Sequence, residues 1–327
     1  MRWGDPPGPL SLVQRRDQRS PMIVAVTGAN GFIGRHLVRR FAERGWQTRE
    51  VVRDDFERGR LGELFRGADV VIHAAGATRA PSVAQLRKSN VELTQRVVEA
   101  ANAADVKRIV FVSSLAASGP SVSRDRPVSE TTPASPVEPY GRSKLDAEEI
   151  VRQSRLPFTI VRPAAVYGPG DADFLQLFRV ARWGLALHPA NRAQWISIIY
   201  VADLVDALVS VAETDEAVGR VYCLGNETPV RWADLFPIAA NCAGTRVRVD
   251  VELPSWFAEA GARVGDVVAR VRGKAGLWSS GKIALAKPAA WVCSSELARR
   301  EIALGPETPI DRVFCETYRW YIEHGWL

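Results

Sequence analysis

A glycine-rich turn between a short apolar run and a helix constrains this chain more than any other stretch. Residues 23–26 are apolar and predict a buried parallel strand. Gly28, Gly31 and Gly34 follow at three-residue spacing, and a helical pattern begins at Arg35. Glycines at these places allow a tight turn, a close approach of backbone to phosphate, and packing of the helix on the strand. The stretch therefore predicts a dinucleotide whose pyrophosphate lies at the helix N-terminus.

Short apolar runs continue to alternate with helical patterns after this turn. Strands are expected over residues 48–52, 68–73, 107–112, 158–162, 196–200 and 221–224, and helices over residues 83–104, over residues 140–153 and from near Asp203. Strands that alternate with helices predict an α/β fold, a Rossmann-type doubly wound parallel sheet.

The same pattern divides the chain into three parts. Residues 1–21 contain four prolines and little apolar sequence, and we expect a disordered extension there. Residues 22–225 form the expected nucleotide-binding domain, in which residues 168–195 contribute to the substrate lobe. Residues 226–327 are expected to form a smaller, mainly helical substrate-binding domain, because tryptophans, prolines and helical patterns dominate there.

Composition and charge indicate a globular enzyme that acts on a small molecule. Of the 327 residues, 46% are hydrophobic and 24% are charged, and the net charge of +6 comes from arginines spread along the chain rather than clustered. We therefore expect no nucleic-acid partner. We also expect no membrane partner, because no apolar run approaches the roughly 18 residues of a membrane helix.

The cysteines and histidines show no spacing typical of a disulfide framework or a metal site. Four cysteines, at positions 223, 242, 293 and 315, lack a C-x-x-C pair, and four histidines are scattered. Free thiols, a reducing cytoplasmic compartment and the absence of a bound metal are the resulting expectations.

Four motifs in order carry a specific resemblance. They are Thr27-Gly28-x-x-Gly31-x-x-Gly34, His73-Ala74-Ala75-Gly76, Ser113-Ser114 and Tyr140-Gly141-Arg142-Ser143-Lys144. With weaker matches at residues 162–170 and 200–204, the chain from residue 22 onward resembles the extended short-chain dehydrogenase/reductase family. That family contains nucleotide-sugar epimerases, dehydratases and dihydroflavonol-type reductases. The region between Arg53 and Ala68 is shorter than is usual there, so the third strand is expected to be missing or reduced.

The resemblance implies that Ser114, Tyr140 and Lys144 are the catalytic residues. Tyr140 and Lys144 are four apart on a predicted helix and share a face. A nearby ammonium is expected to lower the phenol pKa from its usual value of about 10, which suits a general acid/base. In the family, a serine at the position of Ser114 polarises the oxygen of the substrate.

The turn and the resemblance together predict the residues that bind the cofactor. They are Gly28, Asn30, Gly31, Phe32, Ile33, Gly34, Arg53, His73, Ala74, Ala75, Gly76, Asn90, Tyr140, Lys144, Pro163 and Val166. Arg53 ends the second strand, where NAD-binding relatives place an acid, and therefore favours NADP(H); the adjacent Asp54 leaves NAD(H) possible. His73 is expected to have no proton-transfer role. Asn90 either orders backbone or water behind the nicotinamide or is a plain polar residue at a helix start.

These residues predict an NAD(P)-dependent oxidoreductase that moves hydride between the nicotinamide and a carbonyl or secondary alcohol. A nucleotide-sugar epimerase is the alternative, and a non-catalytic cofactor-binding sensor or assembly subunit is a further one. Ala165 and Ile196 stand where the epimerases have asparagine and arginine on the phosphate side, which favours a small non-nucleotide substrate. By resemblance, we expect a homodimer packed through helices 83–104 and 140–153.

Two further expectations concern Asp203 and three tryptophans. Asp203 is expected to be a helix N-cap rather than a catalytic acid. The tryptophans at positions 256, 278 and 291 are expected either to line an apolar substrate pocket or to lie in the core of the smaller domain.

Overall fold

A parallel six-stranded sheet is the centre of the larger domain. The structure, a computed structural model, describes residues 21–188, 191–272, 280–302 and 304–327, so the expectations for residues 1–20 and for Trp278 lie outside the described residues. The strands of this sheet are β1 (Ile23–Thr27), β2 (Gln47–Val51), β3 (Val70–His73), β4 (Arg108–Val112), β5 (Phe158–Pro163) and β10 (Val221–Leu224). Their spatial order is β10-β5-β4-β3-β1-β2, and every neighbouring pair is parallel. The predicted α/β class is confirmed.

Helices cover both faces of this sheet because successive strand residues point to opposite sides. The helices of this domain are α1 (Phe32–Glu43), α2 (Arg53–Glu57), α3 (Leu61–Phe65), α4 (Val83–Arg87), α5 (Leu93–Ala103), α6 (Leu115–Ser118), α7 (Pro139–Arg152), α9 (Val201–Glu213) and α13 (Glu296–Ile302). Val24 and Val26 pack with Leu37 of α1 and Leu204 of α9. The intervening Ala25 belongs to the opposite core, which α5 and α7 cover.

Two short helices replace a strand between β2 and β3. Residues 53–57 and 61–65 form α2 and α3, and β2 is the edge of the sheet. The expectation of a missing third strand is therefore confirmed. Phe56, Leu61 and Phe65 fill the edge of the core instead.

The expected helix over residues 83–104 is interrupted. Between α4 and α5 the backbone forms a π-helical turn over Lys88–Glu92. A π turn inserts an extra residue into the helical repeat and is frequent at functional sites. Here it carries Asn90, whose side chain is buried.

The smaller lobe has its own core of buried aromatic and aliphatic side chains. Its helices are α8 (Leu175–Ala181), α10 (Leu235–Cys242), α11 (Ser255–Arg272), α12 (Ser280–Ala286) and α14 (Ile310–Glu323). Its strands are β6 (Ala165–Tyr167), β7 (Leu185–His188), β8 (Trp195–Ile196), β9 (Ile198–Tyr200), β11 (Val230–Arg231), β12 (Val249–Glu252) and β13 (Ala290–Trp291). Phe178, Phe236, Phe314 and Trp291 meet in this core. None of the helices described is long and apolar enough to span a bilayer.

Two expectations for this region were wrong in detail. The strand expected over residues 196–200 is split into β8 and β9, because β8 pairs with β11 and β13 whereas β9 pairs with β6. Helix α9 begins at Val201 with Tyr200 as its N-cap, so Asp203 is not the cap. Its carboxylate accepts hydrogen bonds from the backbone N–H and the hydroxyl of Thr308.

The expectation of four free thiols was also wrong. Cys242 of α10 and Cys315 of α14 form a disulfide across 73 residues of sequence, whereas Cys223 and Cys293 are free and buried. The two helices contact each other in the lobe core, and this packing brings the two sulfur atoms together. A spacing of that length carries no signal in the sequence.

Candidate active site

The glycine turn links the carboxyl end of β1 to α1 and lies against the loop that follows β3. Gly28 has a φ of +72°, which favours glycine, and its N–H donates to Val51 O at 2.9 Å. A Cβ at Gly34 would lie 2.0 Å from Gly28 O, and a Cβ at Gly28 would lie 2.8 Å from the Cα of Ala75. Any side chain at these two places would therefore push the turn away from α1 or from the loop after β3.

The N-terminus of α1 faces the turn without an acidic side chain or a side-chain cap. Gly31 is the N-cap residue, and no acid lies in the first turn. Helix geometry leaves the N–H groups of Phe32, Ile33 and Gly34 without intrahelical partners. With the positive end of the helix dipole, these groups suit a pyrophosphate. Asn30 lies exposed on the same turn.

His73 ends β3 and holds two neighbouring elements together. Its Nδ1 lies 2.7 Å from Thr27 Oγ1 and its Nε2 lies 2.9 Å from Thr94 Oγ1. Thr27 Oγ1 in turn accepts from the N–H of Ala75, which follows Ala74 in the loop. Complete burial lowers the pKa of His73 from 6.5 to about 3, so the ring is uncharged near neutral pH.

This buried histidine makes the protein sensitive to acid. Between pH 6.5 and about 3 the unfolded chain binds a proton at His73 that the folded protein does not. The free energy of unfolding therefore falls as the pH is lowered through this window, by up to about 1.4 kcal/mol per pH unit from this group. We expect His73→Gln to make that slope shallower by about one proton in urea unfolding between pH 7 and about 4. The exposed His324→Gln is the control, and equal slopes for His73→Gln and wild type would contradict the assignment.

Asn90 fixes the loop after β3 to helix α7. Its Oδ1 accepts from Ala77 N at 2.8 Å, and its Nδ2 donates to Ala77 O at 3.0 Å and to Ser143 Oγ at 2.8 Å. A Cβ at Gly76 would lie 2.9 Å from Asn90 Oδ1 and 3.8 Å from Lys144 Nζ. Through these three hydrogen bonds the Asn90 side chain orders the backbone beside Lys144. Asn90 is therefore not a plain polar residue at the start of a helix.

Ser114, Tyr140 and Lys144 meet beyond the carboxyl end of β4. Ser114 is the N-cap of α6, and its hydroxyl lies near enough to the Tyr140 phenol to influence the pKa of that group. Lys144 lies one turn after Tyr140 on α7 and donates from Nζ to Val112 O at 2.7 Å. A phenol, a hydroxyl and an ammonium are thereby assembled at the edge of the sheet where doubly wound folds bind ligands.

Burial raises the pKa of Tyr140, whereas a lowered pKa was expected. Burial raises the pKa of Tyr140 to about 12, although the nearby Ser114 hydroxyl acts to lower it. Burial also lowers the pKa of Lys144 to about 8, against the opposing effect of Glu148. The expectation that Lys144 lowers the pKa of the phenol was therefore wrong for this state of the protein. At neutral pH, Tyr140 holds its proton and is set up to donate it.

A buried ion pair lies behind these residues, and sequence reasoning missed it. Glu148, four residues after Lys144, accepts from Arg162 Nε at 2.8 Å and Nη2 at 2.6 Å. Ser113 Oγ also donates to Glu148 at 2.6 Å, and Arg162 Nη1 donates to Ser118 Oγ at 3.0 Å. One feature of the sequence could have indicated this ion pair. Arg162 is a charged residue within the mainly apolar run that forms β5, and a charge buried there needs a partner.

Arg53 is exposed at the first position of α2, and only Val52 separates it from β2. The two acids that follow it are engaged elsewhere. Asp54 pairs with Arg58 at 3.0 Å, and Asp55 is buried and accepts from Val52 N at 2.9 Å. Neither carboxylate therefore pairs with Arg53 in this structure.

The remaining predicted residues lie at the end of β5 and in β6. Pro163 is the buried last residue of β5, and Val166 of β6 packs against the sheet core. Ala165 between them is exposed, whereas Ile196 is buried in the core of the smaller lobe. Within the described ranges no group of three or more metal-binding side chains comes together.

Comparison with known proteins agrees with this geometry. The model of the NAD dependent epimerase/dehydratase family matches residues 24–225. A ceramide reductase of Caulobacter vibrioides is 32% identical over 93% of this chain and 96% of its own length. A 4-hydroxy-2-methyl-3-oxo-4-farnesyl-3,4-dihydroquinoline-1-oxide ketoreductase of Stigmatella aurantiaca is 30% identical over 74% of this chain and 79% of its own. The crystal structure of gox2253 superposes with a TM-score of 0.74 at 26% identity, over 93% of this chain and 98% of that one. The chain therefore belongs to the NAD dependent epimerase/dehydratase family and is an NAD(P)-dependent reductase of the extended short-chain dehydrogenase type.

Proposed function

We propose that this enzyme reduces a ketone on a lipid-like, non-nucleotide molecule to a secondary alcohol. The observation that carries the proposal is the placement of the Ser114 hydroxyl and the Tyr140 phenol beside the buried Lys144. Ser114 holds the ketone oxygen, and Tyr140 donates its proton to that oxygen. The nicotinamide, when bound, supplies the hydride that reaches the carbonyl carbon.

Lys144 has two tasks in this proposal. Its ammonium is held by Val112 O and lies against the ring of Phe111 at 4.4 Å. It stabilises the negative charge that develops on Tyr140 after proton donation, and it binds the cofactor ribose. A positive charge placed beforehand stabilises developing charge without further rearrangement.

The proposed substrate is a ketone of ceramide type. The support comes from a relative named a ceramide reductase, which aligns along nearly the whole chain. The residues that hold a nucleotide diphosphate in the epimerases are replaced here by Ala165, which has no donor, and by Ile196, which is buried. Both observations favour an apolar ketone over a nucleotide sugar.

An assay with matched substrates tests this function. A keto-ceramide, a short-chain ketone and a UDP-sugar are each incubated with the enzyme and reduced nicotinamide, and the absorbance of the cofactor is followed. We expect oxidation of the cofactor with the keto-ceramide at a kcat/KM at least about tenfold above that of the short-chain ketone, because burial of an acyl chain adds binding energy. Epimer formation from the UDP-sugar without net oxidation of the cofactor would instead support the epimerase.

We further propose NADP(H) as the preferred cofactor, through Arg53. Its exposed guanidinium just after β2 suits a 2′-phosphate. The neighbouring Asp54 and Asp55 do not compete for it, because they bond to Arg58 and to Val52 N.

We expect Arg53→Ala to weaken NADPH binding about tenfold or more and to leave NADH binding within about twofold, because a charge-assisted hydrogen bond contributes about 1.5–3 kcal/mol. Fluorescence titration measures both affinities. The control is Arg155→Ala, which changes an exposed arginine before β5, a strand that three others separate from β2. Tighter NADH than NADPH binding by wild type would refute the preference.

The proposal also includes a homodimer in the cytoplasm. The dimer would pack through α4, α5 and α7, whose outer surface carries the exposed Val83 beside the Arg87–Asp146 pair. The cytoplasm supplies the nicotinamide pool that a reductase needs. The Cys242–Cys315 disulfide gives no support to that location.

A further inference from the structure

Helix α11 exposes its large apolar side chains to solvent and buries small ones. Its buried positions are the small residues Ala258, Ala262 and Ala269. Its exposed positions include Trp256 (70% exposed), Phe257, Val264 (64% exposed), Val267 and Val268. At 100° per residue these five side chains fall within an arc of about 120°, so they form one stripe along the helix. Surface helices normally bury such a stripe.

The two-stranded sheet that precedes α11 adds further exposed apolar side chains. On β7, Ala186 and His188 are buried and Leu187 is exposed; on β12, where all four residues are exposed, Val249 and Val251 are the apolar ones. Only Leu253 and Pro254 separate β12 from α11, and Trp183, which is 70% exposed, lies just before β7. We call these nine exposed residues, Trp183, Leu187, Val249, Val251, Trp256, Phe257, Val264, Val267 and Val268, the apolar face.

The charges beside this face are mainly positive. Arg246, Arg248 and Arg263 are exposed and form no ion pair with any other described residue. The guanidinium of Arg182 lies 5.3 Å from the centre of the Trp183 ring. Of the four acids in β12 and α11, Asp250 pairs with Arg192 and Glu259 pairs with Lys287. Glu252 and Asp266 accept only backbone N–H groups of described residues, so the arginines outnumber the acids that are left without a cation.

The apolar face and the unpaired arginines beside it together indicate one kind of binding partner. A second copy docked face to face would bring the unpaired arginines of both copies together, and the repulsion would oppose that contact. Anionic lipid headgroups would attract the arginines, while tryptophan, phenylalanine and valine side chains enter the boundary between headgroups and acyl chains. We propose that the apolar face docks the enzyme on the surface of an anionic lipid bilayer, without crossing it.

This docking departs from the sequence-based expectation of no membrane partner. That expectation depended on the lack of a membrane-spanning run, which a helix lying in the interface does not need. The inference rests on the exposed side chains and their charges and not on the proposed substrate. Failure of the ketone assay would therefore not contradict membrane docking. Failure of membrane docking would likewise not contradict the proposed ketone reduction.

Vesicle flotation with the full chain tests the proposal. The vesicles consist of phosphatidylcholine alone or of phosphatidylcholine with phosphatidylglycerol, at low and at high salt. We expect wild type to float with the anionic vesicles at low salt, to bind them at least about fivefold less at high salt, and to bind the neutral vesicles weakly. Val264→Ser/Val267→Ser and Arg246→Gln/Arg248→Gln should each reduce partitioning about tenfold or more.

Val122→Ser is the matched control, because Val122 is 77% exposed but lies outside the apolar face. It should float as wild type does. Circular dichroism and oxidation of the cofactor with a short-chain ketone show that each variant is folded, since none of these residues belongs to the catalytic group. Wild type that stays unbound, or variants that float equally well, would overturn the proposal. Light scattering that shows a dimer lost on Val264→Ser/Val267→Ser, without flotation of wild type, would assign the face to a second copy instead.

Discussion

Tyr140→Phe is expected to lower turnover by at least about a hundredfold while the protein still folds and binds its cofactor. The substitution removes the only transferable proton of this side chain and keeps the ring. Burial holds the pKa of Tyr140 at about 12, so the lost group is a neutral donor over the whole working range of pH. The measurements are the oxidation of reduced nicotinamide under saturating ketone and a fluorescence titration with the cofactor.

Two comparisons make this result specific. Tyr318→Phe removes a phenol from α14 in the smaller lobe and should keep normal turnover. Ser114→Ala should also lower turnover, because the ketone oxygen loses the hydroxyl that is proposed to hold it beside Tyr140. A folded Tyr140→Phe protein with near-normal turnover would refute the assigned proton donor.

Glu148→Ala is expected to cost the largest share of stability, about 3–5 kcal/mol in the free energy of unfolding. The change leaves the guanidinium of Arg162 buried without its carboxylate and removes the acceptor of Ser113. Both side chains of the pair are almost completely shielded from water, so solvent does not replace the lost partner. Urea unfolding at neutral pH measures the loss.

The neighbouring residue provides the control for this prediction. Glu149 is exposed, and within the described part of the chain its side chain bonds to that of Gln153 alone, so Glu149→Ala should change the free energy of unfolding by less than about 0.5 kcal/mol. The double variant Glu148→Leu/Arg162→Met should recover part of the loss, because no unpaired charge then remains buried. Equal stability of Glu148→Ala and Glu149→Ala would show that the pair is not important for the fold.

The sequence by itself determined the features that short stretches encode. The glycine turn, the alternation of strands and helices, and the spacing of Tyr140 and Lys144 all depend on residues close together in the chain. Their geometry follows from the 3.6-residue repeat of a helix and from the steric freedom of glycine. The parallel sheet and the shortened connection after β2 were therefore correctly expected.

Only the tertiary structure decided the features that join distant segments. The disulfide between Cys242 and Cys315, the ion pair of Glu148 and Arg162 and the split strand at Ser197 each depend on which elements pack together. The direction of the Tyr140 pKa depends on how much water the packed domain excludes from the phenol. The outward turn of the α11 apolar residues depends on which face meets the lobe. A sequence records side-chain types and their spacing, but burial and long-range contact arise from the folded chain as a whole, and these set desolvation and pairing energies.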